Sequence, residues 1–149
     1  NRTNLRIYKI ALQDYWTKDT VQADTIKYNY ADQTDFTAAT FTTNYDAEAM
    51  IAMGDSLYIF TKNWGNGKTY VYPISKNIGN YSSVRTDSLN PQGLITGATY
   101  DSAHKQITFI GMRITKLRGI MVLRAQMGEL QSRTDVYFSI TILLLLWVI

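Results

Sequence analysis

Two turn signals in the middle of the chain constrain its fold more than any other feature. Gly54-Asp55 separates the strand-like segments DAEAMIAM and SLYIFTKN, and Asn66-Gly67 separates the second of these from TYVYPISK. Such residue pairs adopt the backbone twist of tight hairpin turns with little steric cost. Residues 46–76 are therefore predicted to form an antiparallel meander of three strands.

Short strands separated by turns continue on both sides of this meander. No segment before residue 112 has a convincing helical period, and the 11 tyrosines and many threonines favour strands. The chain is therefore predicted to be all-β: a sandwich, an incomplete barrel or a propeller. The further strand-like segments are LRIYKIAL (5–12), VQADTIKYNY (21–30), SSVRTDSL (82–89), LITGATYD (94–101) and QITFIGM (106–112).

Internal repetition favours the propeller among these folds. IYKI (7–10) lines up with VYPI (71–74), and EAMIAMGDSLYIFT resembles the later ITGATYDSAHKQITFIG. The predicted fold is a set of antiparallel four-stranded blades of an incomplete β-propeller, in which residues 46–89 form one blade with strands paired in chain order. Residues 1–112 would hold about three partial blades, and a longer parent protein would supply the others.

The C-terminal segment, residues 113–149, departs from this pattern because it is rich in Leu, Ile, Met and Arg. It is interpreted as a native terminal segment, a short membrane anchor or an out-of-frame translation of a truncated gene. The apolar run over residues 138–149 is shorter than the roughly 17–25 residues of a spanning helix, so we do not expect a membrane anchor. Exposed blade edges and this uncharged run predict self-association by edge pairing.

The net charge of +3 does not predict a nucleic-acid partner, because the basic excess is confined to the end of the chain. Residues 1–104 hold nine Lys or Arg against ten Asp or Glu, whereas residues 105–149 hold six against two. A nucleic-acid interface requires a basic patch, and residues 1–104, which carry the strand pattern, have no excess of basic residues to form one. The absence of cysteine excludes disulfides, thiolate nucleophiles and cysteine-bound metals, but it leaves the cellular compartment open.

Two carboxylates, Asp46 and Glu48, begin a strand that is otherwise apolar. The two-residue turn predicts that Glu48 lies opposite Thr61 and that Asp46 lies opposite Asn63. Because side chains alternate along a strand, these four side chains would share one face near one end of the hairpin. A bulge of one residue would reverse these faces.

Two interpretations of these carboxylates stay open. In the structural one they accept hydrogen bonds that anchor an inner strand, and in the functional one they bind a cation, with calcium as the candidate, or a polar ligand. Acid/base catalysis would require a raised pKa at one carboxylate and a substrate pocket. Lys62 is predicted to point away from Glu48 and to lie over the ring of Tyr70. The candidate binding residues are Asp46, Glu48, Thr61, Lys62 and Asn63.

Two other residues could carry chemistry. His104, the only histidine, lies in the turn SAHK and is expected to be solvated rather than catalytic. Trp64 lies in a glycine-containing hairpin loop, where it could stack on a sugar or cover the end of a blade.

Five segments resemble successive parts of a bacterial β-propeller family that is usually exported and mostly of unknown function. They are NRTNLRIYKI, YNYADQTDF, NYDAEAM, LYIFTKNW and GLITGATYD, within residues 1–112. The resemblance implies an extracytoplasmic parent with a binding or scaffold function and an unidentified ligand or protein partner. More weakly, the Asp-x-Glu strand is similar to that of esterase-like phytase propellers, which implies a metal-assisted hydrolase as the alternative. Glu48 is the position carried over, with Asp46 and Lys62 beside it, and whether the protein is an enzyme stays open.

Overall fold

The computed structural model describes residues 3–37, 40–113 and 119–126, and strands dominate this part of the chain. The all-β prediction is therefore confirmed. The elements in chain order are β1 (Leu5–Lys9), α1 (Leu12–Thr17), β2 (Asp24–Tyr30), β3 (Asp46–Met53), β4 (Ser56–Lys62), β5 (Thr69–Ser75), β6 (Gly79–Ser83), β7 (Asp87–Leu89), β8 (Leu94–Asp101), β9 (Gln106–Arg113) and β10 (Gly119–Gln126).

The strands form three sheets. Sheet A has the order β1-β2-β6, sheet B the order β3-β4-β5-β7, and sheet C the order β10-β9-β8. All neighbouring strands are antiparallel except β2 and β6, which are parallel.

Sheet B lies between the other two sheets, and its strands β4 and β5 are buried on both faces. Because side chains alternate, Ile59 and Phe60 of β4 point to opposite faces of the sheet. Ile59 packs with the residues of sheet A, and Phe60 packs with those of sheet C. The first core contains Ile26, Tyr28, Tyr30, Ile59, Tyr72 and Ile74. The second contains Ala49, Ile51, Phe60, Val71, Leu89, Ile95, Ile107 and Phe109.

The meander predicted from the two turn signals is confirmed. Met53 pairs with Ser56 across the first turn, and Gly54 has a positive φ of 52°, which a side chain would disfavour. The four strands of sheet B follow chain order, as predicted for residues 46–89. The segment predicted as one strand over residues 82–89 is instead divided between β6 and β7.

Pro73 explains why β6 leaves sheet B. Proline has no backbone N–H, so it cannot donate to a neighbouring strand, and the pairing of β5 with β7 covers only Thr69 to Val71. The carbonyl of Pro73 instead accepts a hydrogen bond of 2.7 Å from the hydroxyl of Ser83, at the end of β6. β6 instead pairs with β2 in sheet A, although in the chain it lies between β5 and β7 of sheet B.

The helix α1 was not predicted, and the strand predicted over residues 5–12 is shorter than expected, since β1 ends at Lys9 and the helix begins at Leu12. It spans only six residues, too few to show a helical period in the sequence. Local contacts hold it: the hydroxyl of Thr17 donates to the carbonyl of Gln13, and Lys18 pairs with Asp14 at 2.9 Å. None of its residues is buried.

Of the segment predicted as an atypical tail, β10 is described beyond residue 113, and it pairs with β9 from Gly119 opposite Arg113 to Gln126 opposite Gln106. The apolar run over residues 138–149, and with it the three interpretations of the tail, lies outside the described residues. No helix in the described part of the chain is long and apolar enough to cross a membrane.

Candidate functional site

A β-bulge changes the predicted geometry of the two carboxylates. Ala47 pairs with Thr61 and Ala49 pairs with Phe60, so Glu48 is the extra residue of β3. The predicted pairing of Glu48 with Thr61 is therefore wrong. Beyond the bulge the register moves by one residue, which is the physical effect of setting two residues against one.

The shifted register places Asp46 opposite Lys62 rather than opposite Asn63. The ammonium of Lys62 donates a hydrogen bond to Glu48 Oε1 and lies 3.7 Å from Asp46 Oδ2. The prediction that Lys62 points away from Glu48 is wrong. These three residues are called the carboxylate–lysine cluster below.

Within the described residues, Lys62 also does not form the predicted cation–π contact with Tyr70. The ammonium of Lys62 instead lies 5.0 Å from the centroid of the Trp64 ring. The guanidinium of Arg85 takes the place over Tyr70, at 4.3 Å from its ring centroid. Each contact is a cation–π interaction.

The three side chains of the carboxylate–lysine cluster differ in their exposure to solvent. The side chain of Lys62 is 9% exposed, that of Glu48 is 27% exposed and that of Asp46 is 44% exposed. One cation faces two carboxylates, so the cluster carries a net negative charge. Its ammonium fills the position between the carboxylates that a bound metal ion would need, while Asp46, the most exposed of the three, has a second carboxylate oxygen that can accept a hydrogen bond from a ligand.

Thr61 and Asn63, the other two candidate residues, are fully buried and do not join the exposed side of the cluster. The hydroxyl oxygen of Thr61 accepts a hydrogen bond of 2.9 Å from the backbone N–H of Tyr70. It therefore closes the β4–β5 hairpin. The side-chain amide of Asn63 has no hydrogen-bond partner within the described residues, which is unusual for a buried amide.

A neighbouring loop holds Trp64 beside the cluster. The Phe41 and Trp64 rings meet edge to face at 4.7 Å between centroids. The N–H of Gly65 donates to Asn44 Oδ1 at 3.0 Å, and a Cβ on Gly65 would lie 2.6 Å from the carbonyl oxygen of Thr42. Only glycine permits this close approach, so the sequence Trp64-Gly65 fixes the aromatic ring at the end of sheet B.

A second polar cluster, which the sequence analysis did not identify as a site, forms around Asp32. The Tyr72 hydroxyl donates to Asp32 Oδ1 at 2.7 Å, and the Tyr45 hydroxyl donates to the Asp32 backbone carbonyl at 3.0 Å. Arg85 Nε lies 3.4 Å from Asp32 Oδ2. The loop after β2 is thereby tied to β5 and to the segment before β7, so this cluster holds sheet A against sheet B.

Tyrosines surround this second cluster, and their burial affects their ionisation. Burial, followed by the hydrogen bond to Asp32, raises the pKa of Tyr72. Burial, followed by the influence of Tyr28, raises the pKa of Tyr30. The sequence signal for this cluster is the spacing of tyrosines at alternate positions, in YNY and YVY, with Asp32 two residues after Tyr30.

His104 is exposed, as expected from its turn. Its Nδ1 lies 2.7 Å from Asp101 Oδ2. This hydrogen bond is the largest of the contacts that lower the pKa of Asp101. Within the described part, both hydrogen bonds of His104 go to Asp101 and none to a serine, so the structure gives no basis for a Ser-His-Asp triad there.

Within the described residues, no group of three or more His, Asp or Glu side chains is placed to hold a metal ion. The calcium site therefore stays a prediction. Comparisons of the chain with protein-family models, with curated proteins and with solved structures found no match.

Proposed function

We propose that this chain is part of an exported bacterial β-propeller that binds a ligand or serves as a scaffold. The observation that carries the proposal is the position of sheet B, a four-stranded antiparallel sheet whose strands β4 and β5 are buried on both faces between two other sheets. Blades of a propeller pack in this manner. The extracytoplasmic location belongs to the same proposal and rests on the resemblance of the sequence segments.

The carboxylate–lysine cluster is the proposed ligand-binding site. Asp46 and Glu48 offer carboxylate oxygens at the end of sheet B, and Trp64 offers part of an aromatic ring beside them. A flat ring next to hydrogen-bond acceptors suits a ligand with hydroxyl or amino groups. Lys62 holds both carboxylates in place, so the site is organised before a ligand arrives.

The alternative function is a metal-assisted hydrolase with calcium at the same carboxylates. The hydrolase alternative is favoured by the two carboxylates of Asp46 and Glu48, which lie close enough together to contact the same cation. However, the ammonium of Lys62 already occupies this position, and calcium would have to displace it. Displacement would leave the charge of a largely buried lysine without a partner, at a considerable cost in free energy.

Replacing Glu48 with glutamine separates these two functions. Under the binding proposal, the wild type and Glu48→Gln should respond equally to millimolar calcium in thermal unfolding. The variant should be less stable by about 1 kcal/mol, because a charged partner of Lys62 is lost. Asp55→Asn is the control, since it removes one carboxylate from the exposed turn at the opposite end of the hairpin.

The hydrolase alternative makes the opposite prediction for the same experiment. Calcium would raise the melting temperature of the wild type, because a ligand that binds only the folded state stabilises it. This rise would be absent from Glu48→Gln and present in Asp55→Asn. Such a result would contradict the proposal that the site works without a metal.

The outer face of sheet C provides a test of the blade proposal. Ile110 and Met112 are 47% and 45% exposed and alternate with buried residues of β9, so they form an apolar strip. In a propeller this strip would pack against the next blade. The isolated chain is therefore expected to self-associate, and the double variant Ile110→Lys/Met112→Lys is expected to reduce its mass in solution, measured by light scattering.

The control for this measurement is Val84→Lys, which replaces an exposed apolar residue of the β6–β7 connection. It should leave the mass unchanged. If the double variant has the same mass as the wild type, the exposed strip of sheet C is not a contact surface.

A further inference from the structure

Two positively charged side chains on the outer face of sheet A are cross-strand neighbours. Arg6 of β1 is the register partner of Lys27 of β2, and Lys27 is in turn the partner of Asn80 of β6. Cross-strand partners have Cβ atoms about 4.5–5.5 Å apart, and like charges at this spacing destabilise a sheet. Both side chains are exposed, and neither forms an ion pair with any residue in the described ranges.

An open groove of about 510 Å³ lies beside these two cations. No acidic residue is among the described residues that line it. Its other polar lining consists of amides and hydroxyls. They include those of Thr3, Asn4, Asn29, Asn80 and Ser82.

One contact within the groove orients its donors. Asn29 Nδ2 donates a hydrogen bond of 3.1 Å to Ser82 Oγ. The serine oxygen is the acceptor in this contact, so its own hydrogen can be donated to a bound molecule. The groove therefore combines two positive charges with several donors, which are the complements of an anionic oxygen group.

We propose that this groove binds an oxyanion of the phosphate or sulfate type. Arg6 would present its planar guanidinium and Lys27 its ammonium to the same anion. Binding would offset the repulsion between the two cations that the sheet otherwise carries. A tetrahedral oxyanion has enough oxygens to use the amides and the Ser82 hydroxyl as well. This site is separate from the carboxylate–lysine cluster and does not depend on its function.

Thermal unfolding and calorimetric titration with inorganic phosphate test the proposal, at an ionic strength held constant with sodium chloride. Phosphate is expected to raise the melting temperature of the wild type. Lys27→Gln should weaken phosphate binding about tenfold, the usual effect of losing one charge-assisted hydrogen bond. Without phosphate, the same variant should melt at a higher temperature than the wild type, because the cross-strand repulsion is gone.

Lys9→Gln is the matched control, because it removes one positive charge from β1 at a position that does not line the groove. It should bind phosphate as the wild type does. Equal losses of binding in Lys9→Gln and Lys27→Gln, or no response of the wild type, would overturn the proposal. Glycerol phosphate in a parallel titration identifies the source of the anion: binding of both compounds indicates a phosphate group on a larger molecule, and binding of inorganic phosphate alone indicates the free ion.

Discussion

Replacing Phe60 with alanine is expected to lower the free energy of unfolding by about 3–5 kcal/mol. Phe60 is fully buried between sheets B and C, where its ring meets the ring of Phe109 edge to face at 4.8 Å. The truncation removes both the buried apolar area and this aromatic contact, and it leaves a cavity between two sheets. The loss is a large part of the about 5–15 kcal/mol that stabilises a typical domain. Urea-induced unfolding followed by circular dichroism measures it.

Met50→Ala is the control for this prediction, because Met50 is a large apolar residue of the same sheet that is 44% exposed. It should cost less than about 1 kcal/mol, since only part of its surface is buried. If the two variants lose the same free energy, the sheets B and C do not share a well-packed core. A double-mutant cycle of Phe60 with Phe109 should give a coupling of about 0.5–1.5 kcal/mol.

The sequence was sufficient to predict the meander of sheet B because its signals are local. The turns at Gly54-Asp55 and Asn66-Gly67 determine which strands are neighbours, and short connections leave few alternatives. The pairing of β6 with β2 had no such signal, because it joins segments that are distant in the chain. Pro73 was visible in the sequence, but its effect on the edge of β5 depends on which strand lies beside it.

The carboxylate–lysine cluster was predicted only in part. Asp46 and Glu48 stood out because charges interrupt an apolar strand, and the structure brings both to Lys62. The bulge at Glu48 was not predictable, because no glycine marks it and the alternation of β3 fits a regular strand equally well. A shift of one residue then exchanged the partners of every side chain beyond it.

The cluster around Asp32 illustrates a different limit. Its members come from the loop after β2, from β5 and from the segment before β7, so the stacking of sheets A and B brings them together. A sequence pattern can show that tyrosines alternate with polar residues. It cannot show that Tyr72 and Arg85 meet the same carboxylate from two other parts of the chain.

The buried tyrosines of this region predict a loss of stability at alkaline pH. Tyr30 and Tyr72 are buried, and their rings lie 4.3 Å apart. Burial is the first cause of the raised pKa of each; Tyr28 adds to it at Tyr30, and the hydrogen bond to Asp32 adds to it at Tyr72. A raised pKa in the folded state means that the neutral phenol is favoured there. Its contribution to stability is complete below the usual tyrosine pKa of 10.0 and is lost as the pH rises above that value.

Above about pH 10, the free energy of unfolding should therefore fall by up to about 1.4 kcal/mol per pH unit for each buried tyrosine that stays neutral in the folded state. Tyr72→Phe should reduce this slope, because one ionisable group is removed. At neutral pH the same variant should be less stable than the wild type by about 1 kcal/mol, because the hydrogen bond to Asp32 is lost. Urea-induced unfolding of both proteins at each pH measures the slopes, and repetition at high salt screens the repulsion among surface charges. If the wild type and Tyr72→Phe show the same slope at high salt, ionisation of Tyr72 does not limit stability at alkaline pH. The neutral phenol of Tyr72 would then not be what holds sheets A and B together at the cluster around Asp32.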